Sequence, residues 1–281
     1  MMLEFWYKLL DTVLPFQWAG HEFMKNALLA IVLITPLFGL LGTMIVSNKM
    51  AFFSDSLGHG AFTGIAIGSL IGLVKPVFAA VIFSIIFALI ITVIKNKSRA
   101  STDTVIGVFS SVAIALGLVL MSLGGSFNKY SSYLIGDLLS ISPTEITVLI
   151  FVFLAVMILW LIIFNKLLLV SINQSLASSR GVKTLPVEII FTSMIAVIVT
   201  ISIQWVGLLI INSLLVLPAA AARNVTANVR KYTLLSVIIA VFSGIGGLIA
   251  SYYLNTATGA TIVLISGIIF FISLAFKSKF N

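Results

Sequence analysis

The chain has 281 residues, 60% of them hydrophobic and 9% charged, whereas a soluble domain carries roughly 25% charged residues, so an ordinary soluble enzyme is excluded and a polytopic membrane protein is indicated. The net charge of +8 would suit nucleic acid, but the 16 basic residues are widely scattered, as they are when they mark cytoplasmic loops. There is no cysteine, which removes thiolate metal sites and disulfides from consideration.

The opening MMLEFWYKLLDTVLPFQW lacks a basic leader followed by an apolar core and a small-residue cleavage site, so it is not read as a signal peptide. Trp6, Tyr7 and Trp18 among its charges predict an interfacial segment over 1–23, lying along the membrane surface. A spanning helix needs about 20 mostly apolar residues. Such runs lie at 24–47, 51–74, 76–94, 104–124, 143–165, 187–205, 207–222, 231–254 and 258–276. The seventh is short and holds Pro218 before an alanine run, which predicts a distortion or end of the helix there, a pathway-lining break, or a re-entrant segment. The expectation is an all-α, polytopic bundle of about eight or nine spans, one transmembrane domain over 1–281 with no internal repeat.

Orientation follows from the basic residues. With nine spans and the KNKSRAST loop (95–102) inside, only Lys8, Lys25, Lys75 and Lys129 fall outside, and the remaining 12 of the 16 fall in the cytoplasm. That bias puts the N-terminus outside and the C-terminus inside.

The second span opens with AFFSDSLGHG, 51–60, which carries Asp55 and His59. Positions i and i+4 share a helical face, so both side chains point to one spot. Counting a helical rise of about 1.5 Å per residue from Lys49 places Asp55 about 9 Å and His59 about 15 Å into the membrane. A carboxylate facing lipid costs at least about 2.5 kcal/mol, so this face is expected to look into protein or a water-filled path. Ser56, Gly60, Gly64, Gly68 and Gly72 form a small-residue stripe on the adjacent face, which allows another helix to approach closely. Asp55 and His59 suit a borderline divalent cation such as zinc or manganese. Two ligands are too few for a closed site, and a homodimer with this helix at its axis would double them. A proton relay, or a buried pair that only ties helices together, are the other readings of the same residues.

At Ser54-Asp55-Ser56-Leu57-Gly58-His59-Gly60 the sequence resembles the permease subunits of bacterial ABC importers for zinc, manganese or iron, whose second span typically reads Ser-Asp-Ala-Leu-Ser-His-Ala. Further matches follow in order at Asp103-Thr104-Val105-Ile106-Gly107, at Tyr133-Leu134-Ile135-Gly136-Asp137, and in VGLLIINSLLVLPAAAARN from Val206. The resemblance implies a homodimeric permease in the bacterial plasma membrane, with Asp55 and His59 on the metal path. It also implies a separate cytosolic ATP-binding subunit and an extracytoplasmic metal-binding protein as partners. No G-x-x-x-x-G-K-[ST] phosphate loop is present, so the chain is expected to be no enzyme itself and to hold no permanent cofactor, the metal being its substrate.

The ATPase partner is expected at SINQSLASSRGVKTLP, 171–186, where Asn173 or Ser175 would cap a short helix running to Arg180 and Gly181 would stop it. Its Ala177-x-x-x-Gly181 spacing is similar to the family's coupling helix, although relatives usually carry acidic residues near its start. Asp103 reads as helix-dipole complementarity, Asp137 and Glu145 as outer surface residues that an incoming carrier would meet, and His21 with Glu22 as a surface anchor. A permease for a larger chelate, such as a siderophore or cobalamin, would instead leave Asp55 and His59 as packing residues around a wide cavity. An intramembrane enzyme is disfavoured, because this pair is read as the only transmembrane carboxylate and histidine and no nucleophile accompanies it. One carboxylate and one imidazole per chain suit zinc, manganese and iron alike.

Overall fold

The structure is a computed structural model and describes residues 6–8, 10, 12, 17–123 and 132–276. Lys129, Lys277 and Lys279, used in the orientation count, lie outside the described residues. The long helices are α1 (Glu22–Ser47), α2 (Phe53–Leu70), α3 (Val77–Lys97), α4 (Thr102–Leu123), α5 (Pro143–Ile172), α7 (Thr184–Val206), α8 (Leu208–Val225), α9 (Val229–Leu254) and α10 (Thr258–Phe276), with the short α6 (Gln174–Ser179) between α5 and α7. No strand occurs among the described residues.

Seven of these helices are long and apolar enough to cross a membrane, and α2 and α8 are the other two of the nine expected runs. The polar pair and the glycines dilute the apolar character of α2. Phe78, Ile82, Ile86, Ile90 and Ile94 form an exposed i, i+4 row along α3, the face a lipid-bathed helix presents. By contrast α1 and α7 are enclosed, each 67% buried over its apolar window.

The helices alternate in direction, and contacts join their ends consistently. At one side Gln174 reaches Asn96 (3.1 Å), Tyr232 donates to the Thr43 carbonyl (3.2 Å) and Asn224 donates to Ser273 (3.1 Å). At the other, the Asp137 N–H donates to the Gln204 carbonyl (3.2 Å) and His21 lies 6.2 Å from the Tyr252 ring. The N-terminal segment docks on the bundle, with Trp6 Nε1 donating to the Lys25 carbonyl (3.2 Å) and Tyr7 to Asn26 (2.6 Å).

Local sequence explains the helix ends. α5 begins at a capping box in which Ser142 and Glu145 satisfy each other's backbone N–H, with Pro143 supplying a preset φ. α7 and α8 are separated by Gly207 alone, at φ +89°, and the Gly136 backbone presses against it so closely that a Cβ on either residue would overlap the other segment. Only glycine permits that crossing.

Pro218 does not end the seventh run. It lies inside α8, which continues to Val225. The start of α8 lies against the start of α10, where Ile210 meets Gly259, and its end against the end of α10, where Asn224 meets Ser273. α8 therefore crosses as far as α10 does and is not re-entrant. Proline removes one backbone donor, a loss that a buried membrane helix tolerates when neighbouring helices enclose it.

Candidate functional site

Asp55 and His59 occupy the first two turns of α2, with His59 Nε2 3.4 Å from Asp55 Oδ2. The surrounding turn is enclosed: Ser54, Ser56, Leu57, Gly58 and Gly60 are buried. The two side chains nevertheless keep 36% (Asp55) and 18% (His59) of their exposure. Three neighbours account for this. On one side Gly60, Gly64 and Gly68 admit α3 so closely that a Cβ at Gly64 would lie 2.6 Å from Ala80 Cα. On another, Thr63 Oγ1 donates to the Ala113 carbonyl of α4 at 2.7 Å. On a third, α8 runs antiparallel, with the Ser54 hydroxyl donating to Asn212 Oδ1 and Leu208 seated against Gly58. Asp55 and His59 are thus partly open at the start of the helix, Ile67, Ser69 and Leu70 are open at its end, and Phe62, Thr63 and Ala66 between them are buried.

Two expectations about this helix change. The small-residue stripe is occupied by α3 of the same chain, so it leaves no room for a second copy; Gly72 has no part in it and lies past the helix end at φ +75° with open space around it. A second copy would have to approach the Asp55/His59 face itself. The depth estimate from Lys49 also fails, because Asn48–Phe52 form a turn with Lys49 in the left-handed region and the helical rise begins only at Phe53. α8 provides a better ruler: Asn212, beside Ser54, stands about 17 Å along the helix from Arg223.

A carboxylate oxygen and an imidazole nitrogen at this separation can grip one divalent cation from the same side. Among the described residues no group of three or more His, Asp, Glu or Cys could hold a metal.

Two polar residues escaped the sequence reading. Asn212 lies inside the VGLLIINSLLVLPAAAARN match, and an amide in an apolar run is the same signal that singled out Asp55. Glu188 lies in the second turn of α7, so Asp55 is not the only carboxylate within the spans. Its Oε2 accepts from Lys95 Nζ (2.9 Å) and Asn96 Nδ2 (2.8 Å), with the two charged side chains only 12% and 15% exposed. It sits one residue inside the predicted run, where a charge reads as a boundary.

In the 171–186 stretch Asn173, not Ser175, is the cap: its Oδ1 accepts from Leu176 N at 3.0 Å. α6 ends at Ser179 and Gly181 follows at φ +77°. Ala177 is fully buried and points into the bundle, while Leu176, Arg180 and Gly181 are exposed. The remaining candidates have structural roles. Asp137 accepts from Leu139 N (3.1 Å), and Glu145 caps α5 while accepting from Gln204 Nε2 (3.0 Å). Asp103 lies in the exposed first turn of α4, and His21 stacks on Phe23 at 5.3 Å.

Alternating apolar helices around one half-open helix that bears two ligand-type side chains define a multi-pass membrane permease. The family model of the ABC 3 transport family matches residues 20–277, and the chain belongs to that family. It is 33% identical to the high-affinity zinc uptake system membrane protein ZnuB of Buchnera aphidicola, over 87% of this chain and 94% of that protein. It is 30% identical to the manganese transport system membrane protein MntC of Listeria innocua, over 92% of both. Among solved structures it resembles PsaBC from Streptococcus pneumoniae in complex with Fab, with a TM-score of 0.80 at 27% identity, covering 97% of this chain and 95% of that one.

Proposed function

We propose that this chain is the permease subunit of an ATP-driven importer that carries divalent transition metal ions, zinc or manganese and by the same ligand chemistry iron, across the bacterial plasma membrane. The observation that carries the reading is the Asp55/His59 pair, 3.4 Å apart and still partly exposed in the first turns of an otherwise largely enclosed helix, in a chain of the ABC 3 transport family. The names of the zinc and manganese relatives support the substrate class.

In this reading the two side chains hold the ion briefly, and two copies of the chain meet at the partly open start of α2 so that each contributes a carboxylate and an imidazole. Sparse ligation releases what it binds, which a carrier requires. ATP is hydrolysed by a separate cytosolic subunit seated on 171–186, where Leu176 of α6 and Arg180 and Gly181 just past its end are exposed and Ala177 anchors it. A metal-binding protein delivers the ion from outside. The basic ends gathered with Asn96, Gln174 and Asn224 support an inside C-terminus and an outside N-terminus.

The test is uptake of radiolabelled zinc, manganese and iron by the assembled importer carrying the native chain, Asp55→Ala or His59→Ala. Both variants are expected to lose uptake while still assembling. Normal assembly with native uptake rates would remove the site assignment.

A further inference from the structure

Glu188 is buried, yet it is the meeting point of three elements. Its Oε2 receives Lys95 Nζ and Asn96 Nδ2 from the end of α3. Asn96 Oδ1 then accepts from Gln174 Nε2 (3.1 Å), and Gln174 is the first residue of α6. The same Nε2 lies 3.5 Å from Thr184 Oγ1, which opens α7. One turn deeper the α3–α7 seam is fastened again, by Thr92 Oγ1 donating to Thr192 Oγ1 at 3.0 Å.

Apolar packing would hold such a seam at least as well, since a buried ion pair is a poor source of stability against a well-packed substitute. What the polar cluster adds is direction: the Glu188 bonds fix the end of α3 against α7, and the two Gln174 contacts fix the start of α6 against both. α3 in turn has almost no slack against α2, because Gly64 and Gly68 bring Ala80, Ala79 and Pro76 to the backbone of α2. A displacement of α6 therefore reaches the helix that bears Asp55 and His59 through contacts that do not yield.

We propose that Glu188, Lys95, Asn96 and Gln174 form the joint that transmits movement of α6 to the metal-bearing helix. They are positioning residues and do not touch the ion. The inference rests on the reading of 171–186 as the ATPase docking segment.

The experiment reconstitutes the complete importer in vesicles and measures zinc or manganese ions moved per ATP hydrolysed, together with the thermal midpoint of the purified assembly. Glu188→Gln keeps the shape of the side chain, and Gln174→Ala alters an exposed residue that the fold does not need. Each is expected to lower the ion-to-ATP ratio about fivefold or more, while hydrolysis stays within about twofold of native. The double variant is expected to be no worse than Glu188→Gln alone, because the two residues act in one chain of bonds.

An unchanged ratio in both single variants would overturn the joint, as would additive losses. So would uptake and hydrolysis falling in proportion with a lowered midpoint. Leu176→Asp, on the exposed side of α6, separates this from the docking reading. If the ATPase subunit still co-purifies at native hydrolysis rates, the docking segment is wrong and the joint falls with it. If that subunit detaches while Glu188→Gln leaves the ratio unchanged, the joint alone falls.

Discussion

Two acid–base pairs among the described residues are built to opposite ends. Asp55 and His59 come from one helix, stand 3.4 Å apart and keep a third and a fifth of their side-chain exposure. Glu188 and Lys95 come from two helices, stand 2.9 Å apart, are nearly closed off, and share an oxygen with Asn96. In the second pair one carboxylate oxygen takes two donors from α3 and both side chains are nearly closed off. The first is under-bonded and open on one side, the condition in which a carboxylate and an imidazole remain available as ligands. Closure and the number of partners, not the presence of charge, distinguish the candidate metal residues from those that fasten helices.

The sharpest way to break this contrast is to remove one member of each pair. Asp55→Ala is expected to cut metal uptake on the order of tenfold or more, since even outer supports of a metal site are typically worth 10–100-fold. Its thermal midpoint should scarcely move, because a long, partly exposed pair contributes about 0–1 kcal/mol. Glu188→Ala should do the reverse to stability, costing about 3 kcal/mol by leaving Lys95 without its buried partner. Unfolding of the detergent-solubilised protein, measured beside vesicle uptake, decides the matter; equal destabilisation by both substitutions would erase the distinction.

A smaller effect separates the two sides of α2. Gly64→Ala places a Cβ 2.6 Å from Ala80 Cα, so α3 must move and about 1–3 kcal/mol is lost. Gly58→Ala meets Leu208 at an ordinary 3.5 Å and should be close to neutral. Uptake should also decline in acid, because a carboxylate and an imidazole bind a metal only when deprotonated. Uptake that holds steady to pH 5.5 would remove His59 from the metal path. The smallest change expected is Asn173→Ala, which removes the cap of α6 at a cost of about 1 kcal/mol, read as loosened hydrogen exchange at Leu176.

Apolar runs predicted the nine long helices, seven of them long and apolar enough to cross a membrane, because the demand to bury backbone polar groups in hydrocarbon leaves its mark in the sequence. The pairing of Asp55 with His59 was legible for a similar reason: an i, i+4 relation belongs to one helix and needs no tertiary knowledge. The Asn173 cap and the Gly181 stop were legible on the same local grounds. Of the readings of Pro218, helix termination failed, because one missing donor does not end a helix that α1 and α10 enclose. The glycine stripe showed that some helix approaches closely, but a stripe does not carry the identity of its neighbour.

Sequence alone therefore determined the helical bundle, its alternating direction and the local geometry of its polar pair, all of which depend on residues a few positions apart. Only the tertiary structure decided that α3 takes the glycine face, that Asn212 braces Ser54 across 158 positions, and that Glu188 of α7 holds the end of α3, to which Gln174 of α6 is bonded in turn. Those are choices between surfaces of similar apolar character, and they are resolved only when the helices compete for the same space.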